Sequence, residues 1–168
     1  GVGIIAVMLL AKLGFEVVAI TGKETEADLL LSLGAKEVVN RSEFEGDLKS
    51  PLAKPRWAGG VDAVGSNILS NLITATHQRA AIACCGMVSG VNLNTSIFPF
   101  ILRGLSLLGI DSAETLIDVK KEIWNNFATD WKLEKINNQI KDVGLEELSS
   151  EIDKILKGQQ VGRVRLKN

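Results

Sequence analysis

Thr21-Gly22-Lys23 and Arg41 place a hydroxyl, a glycine turn and two cations at the ends of two short β-branched runs. These runs are Glu16-Val-Val-Ala-Ile20 and Glu37-Val-Val-Asn40. Cations at neighbouring strand ends suit a compact dianion such as a ribose 2′-phosphate. Upstream, Gly1-Val2-Gly3 opens directly into an apolar stretch. Glycines before a helix let the backbone approach a pyrophosphate and leave the first amide N–H groups free to bind it. In a dinucleotide fold, the position about 20 residues beyond the glycines holds an acidic residue for the adenosine ribose. Thr21-Gly22-Lys23 stands there instead, and this selects NADP over NAD. Taken alone, two cations beside a turn are more often plain surface residues. Their place at successive strand ends, where such sheets bind ligands, favours the phosphate reading.

Other chemistries lack their residues. The chain has no tyrosine, which excludes a Tyr–Lys acid pair. It has one histidine, His77, and no Cys-x-x-Cys, which leaves a structural zinc site short of ligands. No Gly-x-Ser-x-Gly elbow occurs, and a Ser–His–acid triad would have to rest on His77 alone. Cys84 and Cys85 are adjacent and cannot bridge distant segments; they read as small core residues of a reducing cytoplasm, with no nucleophilic role. Met87, just past them, could equally face a nicotinamide or fill the core. His77 reads as a surface or helix-end residue, and Trp57, Trp124 and Trp131 as packing residues. Nineteen basic against twenty acidic residues give a net charge of −1, which offers no field for nucleic acid or an anionic membrane. No apolar run reaches membrane-spanning length, and nothing N-terminal resembles a signal peptide.

The elements that must position these residues alternate in type. Apolar Ile4–Leu13, stopped by Gly14, predicts a buried helix. The two β-branched runs predict buried parallel strands. The helix expected between them, Glu24–Leu33, offers Ala27, Leu30, Leu31 and Leu33 to one side and is closed by Gly34. Further strands are expected at Val61–Val64, Ala80–Cys85 and Leu105–Ile110. Helices are expected at Ile68–Ala75 and Val119–Trp131, the second with Ile123, Trp124, Phe127 and Trp131 facing inward. A strand near Ile136–Val143, a helix near Leu145–Leu156 and a strand at Arg163–Leu166 complete the reading. Such alternation means βαβ units and a mainly parallel sheet, the α/β doubly wound (Rossmann-like) class. With 168 residues and 46% hydrophobic content the chain can bury a full core. Charge rises after about Thr129, which divides a dinucleotide-binding domain, 1–130, from a C-terminal segment, 131–168.

Taken together, these segments resemble the cofactor-binding half of a medium-chain dehydrogenase/reductase of the zinc-free quinone oxidoreductase branch, and within it the acrylyl-CoA reductase-like group. The resemblance rests on Gly1-Val-Gly3, Thr21-Gly22-Lys23, Leu33-Gly-Ala35, Trp57-Ala-Gly-Gly-Val-Asp62 with Val64-Gly65, and Cys85-Gly86. It continues through Pro99-Phe-Ile-Leu-Arg103, Leu108-Gly-Ile-Asp-Ser112 and Gly162-Arg163. It implies an NADPH-dependent reductase that moves hydride to an activated carbon–carbon double bond or a quinone. The implied NADP(H) contacts are Gly1, Val2, Thr21, Gly22, Lys23, Arg41, Met87, Ile101, Ser112 and Arg163, with Gly3 completing the turn. It also implies a homodimer paired through the strand at 105–110. Where the family has Ser-Gly-Arg, this chain has Thr21-Gly22-Lys23, exchanging a planar fork for a point charge and lowering the expected hold on the 2′-phosphate. The family's N-terminal catalytic domain and the first strand of its nucleotide fold have no counterpart here. No catalytic residue is therefore assigned, 131–168 is expected to pack on that domain, and the two strands flanking the first strand's place are expected to expose unpaired edges that would destabilise the isolated chain. Two other readings compete. A non-catalytic nucleotide-sensing module could share the fold, whereas a methyltransferase binding S-adenosylmethionine would want an acidic residue where Thr21-Gly22-Lys23 stands.

Overall fold

The computed structural model describes residues 1–167. Helix α1 (Val2–Lys12) runs into a turn at Gly14, whose φ of +88° is left-handed backbone that glycine adopts freely. Strand β1 (Val17–Thr21), helix α2 (Ala27–Ser32) and strand β2 (Ala35–Asn40) follow, and the two strands pair in parallel with Ile20 opposite Val39. A short helix α3 (Ser42–Glu45) leads to a second sheet, in which β3 (Gly60–Asp62), β4 (Ala81–Cys84) and β5 (Ser106–Gly109) lie side by side in parallel. Helices α4 (Ser66–Thr74) and α5 (Phe98–Arg103) make the crossovers. After α6 (Ile117–Ala128), the strands β6 (Ile140–Val143) and β7 (Arg163–Leu166) form a parallel pair connected by α7 (Leu148–Leu156).

The β1–β2 pair and the β3–β4–β5 sheet share no ladder, so β1 and β3 are each paired on one edge only among the described residues. Side chains hold the two together. Ile68 and Ile73 of α4, Ile82 of β4 and Leu105 just before β5 pack in one cluster with Val39 of β2 and Phe44 of α3, and Val18 and Ile20 lean on it. A second cluster seats α1 on β1 and β2 through Val7, Met8, Val17 and Ala35, and reaches Leu133.

The Pro99–Arg103 segment, which the sequence did not mark as a helix, ends in a staple. The Arg103 guanidinium donates to the carbonyls of Thr74 (2.6 Å), Thr76 (2.9 Å) and Ala53 (2.5 Å), closing the buried carbonyl end of α4. In the C-terminal unit, Glu151 is buried between the ammonium groups of Lys141 and Lys154, each 2.7 Å away, while Asp142 pairs with Arg165.

Several expectations need correction. Trp124 is 71% exposed and Ile123 is also exposed, because α6 sinks only one flank. Phe127 meets the second cluster, and Trp124 and Trp131 merely lean on it. Leu31 is exposed, so α2 buries Leu30 without it. Strand β3 stops at Asp62 rather than Val64, since the Asp62 carboxylate turns the chain by accepting from the Gly65 N–H. Strand β4 ends at Cys84, which leaves Cys84 only half-buried and Cys85 exposed instead of both in the core. Trp57 is buried against Phe44, and His77 is exposed just beyond α4.

Candidate functional site

The C-terminal ends of β1 and β2 bring Thr21, Gly22, Lys23 and Arg41 together. The Thr21 carbonyl accepts from the Arg41 N–H at 2.8 Å, and the Thr21 Oγ1 accepts from the Lys23 N–H at 3.1 Å, which shapes a tight turn. Over that turn lies the Arg41 guanidinium. A Cβ at Gly22 would sit 3.2 Å from its Cζ and from one terminal nitrogen, so glycine is what lets the plane lie there. The Arg41 Nε donates to Glu45 at 2.8 Å, one turn along the chain.

Lys23 also reaches across the molecule. Its Nζ donates to the Gln160 carbonyl, tying the turn after β1 to the segment leading into β7. Arg163 opens β7 in the same neighbourhood, and its Nη1 is a buried donor without a protein acceptor. The start of α1 completes the group, with Arg163 and Lys23 both close enough to Gly1 to act on it electrostatically. A Cβ at Gly1 or Gly3 would meet nothing within 4 Å, so the approach to the first turn of α1 is open. No acidic side chain stands in that first turn. Free N–H groups, Lys23, Arg163 and Arg41 make a strongly anion-seeking edge. A buried guanidinium nitrogen lacking an acceptor is what a bound phosphate or carboxamide oxygen would satisfy, and on that ground the residues present fit a dinucleotide cofactor.

The remaining expected contacts are exposed, Val2 within this group and the others on the second sheet and the elements beside it. Val2 is exposed at the head of α1, Met87 is 69% exposed beyond β4, and Ile101 is exposed on α5. Ser112 is exposed in a turn organised by Asp111, whose Oδ1 accepts from the Ala113 and Glu114 N–H groups. At the ends of β3 and β4, burial pushes the Asp62 pKa up while the N–H groups of Gly65 and Val64 pull it back. Partial burial of the sulfur, then the Asp62 carboxylate, then Cys84 push the Cys85 thiol up, so it is no thiolate nucleophile. Sequence reasoning missed Gln160, which acts through a main-chain carbonyl and carries no side-chain signal. It also missed Glu45, although an acid four residues after Arg41 on a helix was readable.

The family described as zinc-binding dehydrogenase matches residues 1–130. Acrylyl-CoA reductase AcuI of Ruegeria pomeroyi is 40% identical over 98% of this chain and 50% of its own length. YhfP of Bacillus subtilis, provisionally named a quinone oxidoreductase, is 40% identical over 99% of this chain and 51% of its own. Its crystal structure with NAD bound superposes with a TM-score of 0.94. The crystal structure of Escherichia coli K-12 YhdH with bound NADPH gives a TM-score of 0.93 at 36% identity, covering 99% of this chain and 51% of that one. The chain thus spans about half the length of the relatives it matches. As for the zinc in the family's description, no three His, Cys, Asp or Glu side chains come together as a metal site among the described residues. The residues present do not fit a zinc centre.

Proposed function

The chain belongs to the zinc-binding dehydrogenase family, and from that premise we propose that it is the cofactor-binding part of an NADPH-dependent oxidoreductase. The hydride acceptor is an activated carbon–carbon double bond, as in an acrylyl-CoA-like thioester, or a quinone. The observation that carries this reading is the cationic edge formed by Lys23, Arg41 and Arg163 beside the open start of α1. When bound, NADPH supplies the hydride; the protein's part is to bind and orient it. Gly1, Val2 and Gly3 would receive the pyrophosphate. Thr21, Gly22, Lys23 and Arg41 would surround the 2′-phosphate, and Arg163 would give its unsatisfied donor to the cofactor between them. Met87, Ile101 and Ser112 would line the nicotinamide half.

The same reading divides the chain into a dinucleotide-binding domain, 1–130, and a segment, 131–168, that packs on a catalytic domain. It puts the protein in the cytoplasm as a homodimer joined through the strand at 105–110, where Leu108 and Ile110 are each 49% exposed and an open apolar edge favours pairing.

Fluorescence titration of the chain extended upstream, with NADPH and NADH, tests the proposal. NADPH is expected to bind more tightly, and Lys23→Glu, which puts a like charge beside the phosphate, to weaken NADPH far more than NADH. Equal affinities for the two cofactors overturn it.

A further inference from the structure

Outside the cationic edge, two loops meet closely where β3 and β4 end. Asp62 is 3% exposed at the last position of β3, and its Oδ2 accepts from the Gly65 N–H at 2.8 Å. Its own carbonyl accepts from the Cys85 N–H at 2.9 Å and from the Cys85 thiol at 3.4 Å. One residue thus holds its own loop with its carboxylate and the exit of the neighbouring strand with its main chain.

The two loops rest directly on each other. Ser89 N–H donates to the Val64 carbonyl at 2.9 Å. A Cβ at Gly86 would collide with the Ala63 carbonyl, and one at Gly65 would lie 2.9 Å from the Gly90 carbonyl oxygen. Gly65 and Ser66 both have positive φ, +78° and +55°, which is costly for a serine and needs a fixed partner to hold it. Asp62 supplies that partner. A buried carboxylate, able only to accept, is an expensive way to hold a turn unless the turn's position matters. The 86–90 loop that rests on it carries Met87 and Val88 outward, 69% and 86% exposed.

We infer that Asp62 is a positioning residue: its carboxylate fixes the 63–66 loop, on which the 86–90 loop rests, and so sets where Met87 stands against the nicotinamide half of the cofactor. The inference rests on the NADPH reading above. Thr21, Lys23 and Arg41, at the ends of the other sheet, serve the adenosine half and lie outside this contact, so the two halves of the ligand respond separately.

The test uses Asp62→Asn in the purified protein with two probes, NADPH and 2′,5′-ADP, the latter carrying the adenosine half alone. The amide keeps the side chain's shape but points an N–H₂ at one of the donors the carboxylate received. The expected result is NADPH binding weakened about tenfold, the scale of one buried polar contact, with 2′,5′-ADP held within about twofold. Ser89→Pro, which removes the donor to Val64 and leaves Asp62 intact, gives the same pattern and stands in where Asp62→Asn fails to fold. Equal weakening of both probes in both variants reduces Asp62 to a stability role and overturns the inference, as does unchanged NADPH binding. The underlying reading fails differently: the unaltered protein then does not bind 2′,5′-ADP, or Lys23→Glu leaves that binding unchanged.

Discussion

Replacing Arg103 with methionine keeps the aliphatic stem and removes all three bonds of the staple. The Thr74 carbonyl keeps a second donor, the Ala53 N–H at 3.1 Å, and loses little. The Thr76 carbonyl belongs to a residue with no exposure, and the guanidinium is its donor. Leaving it unpaired costs about 1–3 kcal/mol, and losing the charge-assisted bond to the half-buried Ala53 carbonyl adds about 1–2 kcal/mol. The expected loss is therefore about 2–5 kcal/mol, a large share of a typical domain stability of about 5–15 kcal/mol. Arg103→Lys should fall between, because one ammonium on a single stem cannot reach three carbonyls from two segments. Urea unfolding followed by tryptophan fluorescence measures both, since Trp57 is buried beside the stapled segment and its carbonyl accepts from the His77 N–H. If Arg103→Met unfolds within about 0.5 kcal/mol of the unaltered chain, the scale of an ordinary surface substitution, the staple is not what closes α4.

Two further outcomes are expected. The Glu151 carboxyl is held below its ordinary 4.5 by the hydrogen bond from Lys141 and then that from Lys154, and Asp142 below its 3.8 mainly by Arg165. Both are lower folded than unfolded, so their stabilisation is complete above the ordinary values and is lost as pH falls through the depressed ones. Asp62, raised by burial, works in the opposite sense and favours the folded state on acidification. Hydrogen exchange taken from about pH 6 to about pH 3.5 should thus show β6, α7 and β7 losing protection before β3 and β4; loss in the reverse order contradicts this. Light scattering should give a dimer that Leu108→Lys dissociates, and a stable monomer of the unaltered protein at high concentration refutes pairing along β5.

The βαβ order was legible because apolar runs and glycine stops mark it plainly. α1 stops just before Gly14 and α2 just before Gly34, and β1 and β2 are β-branched runs of strand length. Helix α6 shows where pattern fails. Ile123, Trp124 and Phe127 share helical spacing and read as one buried stripe, yet burial depends on what the rest of the fold sets opposite them, and only Phe127 finds a partner cluster. Helix α5 was invisible because six residues with Pro99 in the first turn carry too little periodicity. At the cationic edge, residue types and strand-end positions sufficed to single out Lys23 and Arg41. They did not disclose that Lys23 is held by a carbonyl 137 residues away, since a main-chain acceptor has no signature in sequence. The turn role of Asp62 was not singled out, because its carboxylate bonds the N–H three residues on rather than two, outside the usual Asx-turn spacing.

The bond from Lys23 to Gln160 also fixes when the anion-seeking edge is finished. At about 5–20 residues per second, a ribosome that has made Lys23 needs roughly 7 to 27 seconds more to make its partner. Arg163 emerges later still. During that interval β1, β2 and α1 can already collapse on one another through contacts close in sequence, and the turn after β1 has its local bonds but lacks the one to Gln160. The cationic edge thus closes later than the sheet that carries it, and the Lys23 ammonium stays solvated until the segment leading into β7 has been made.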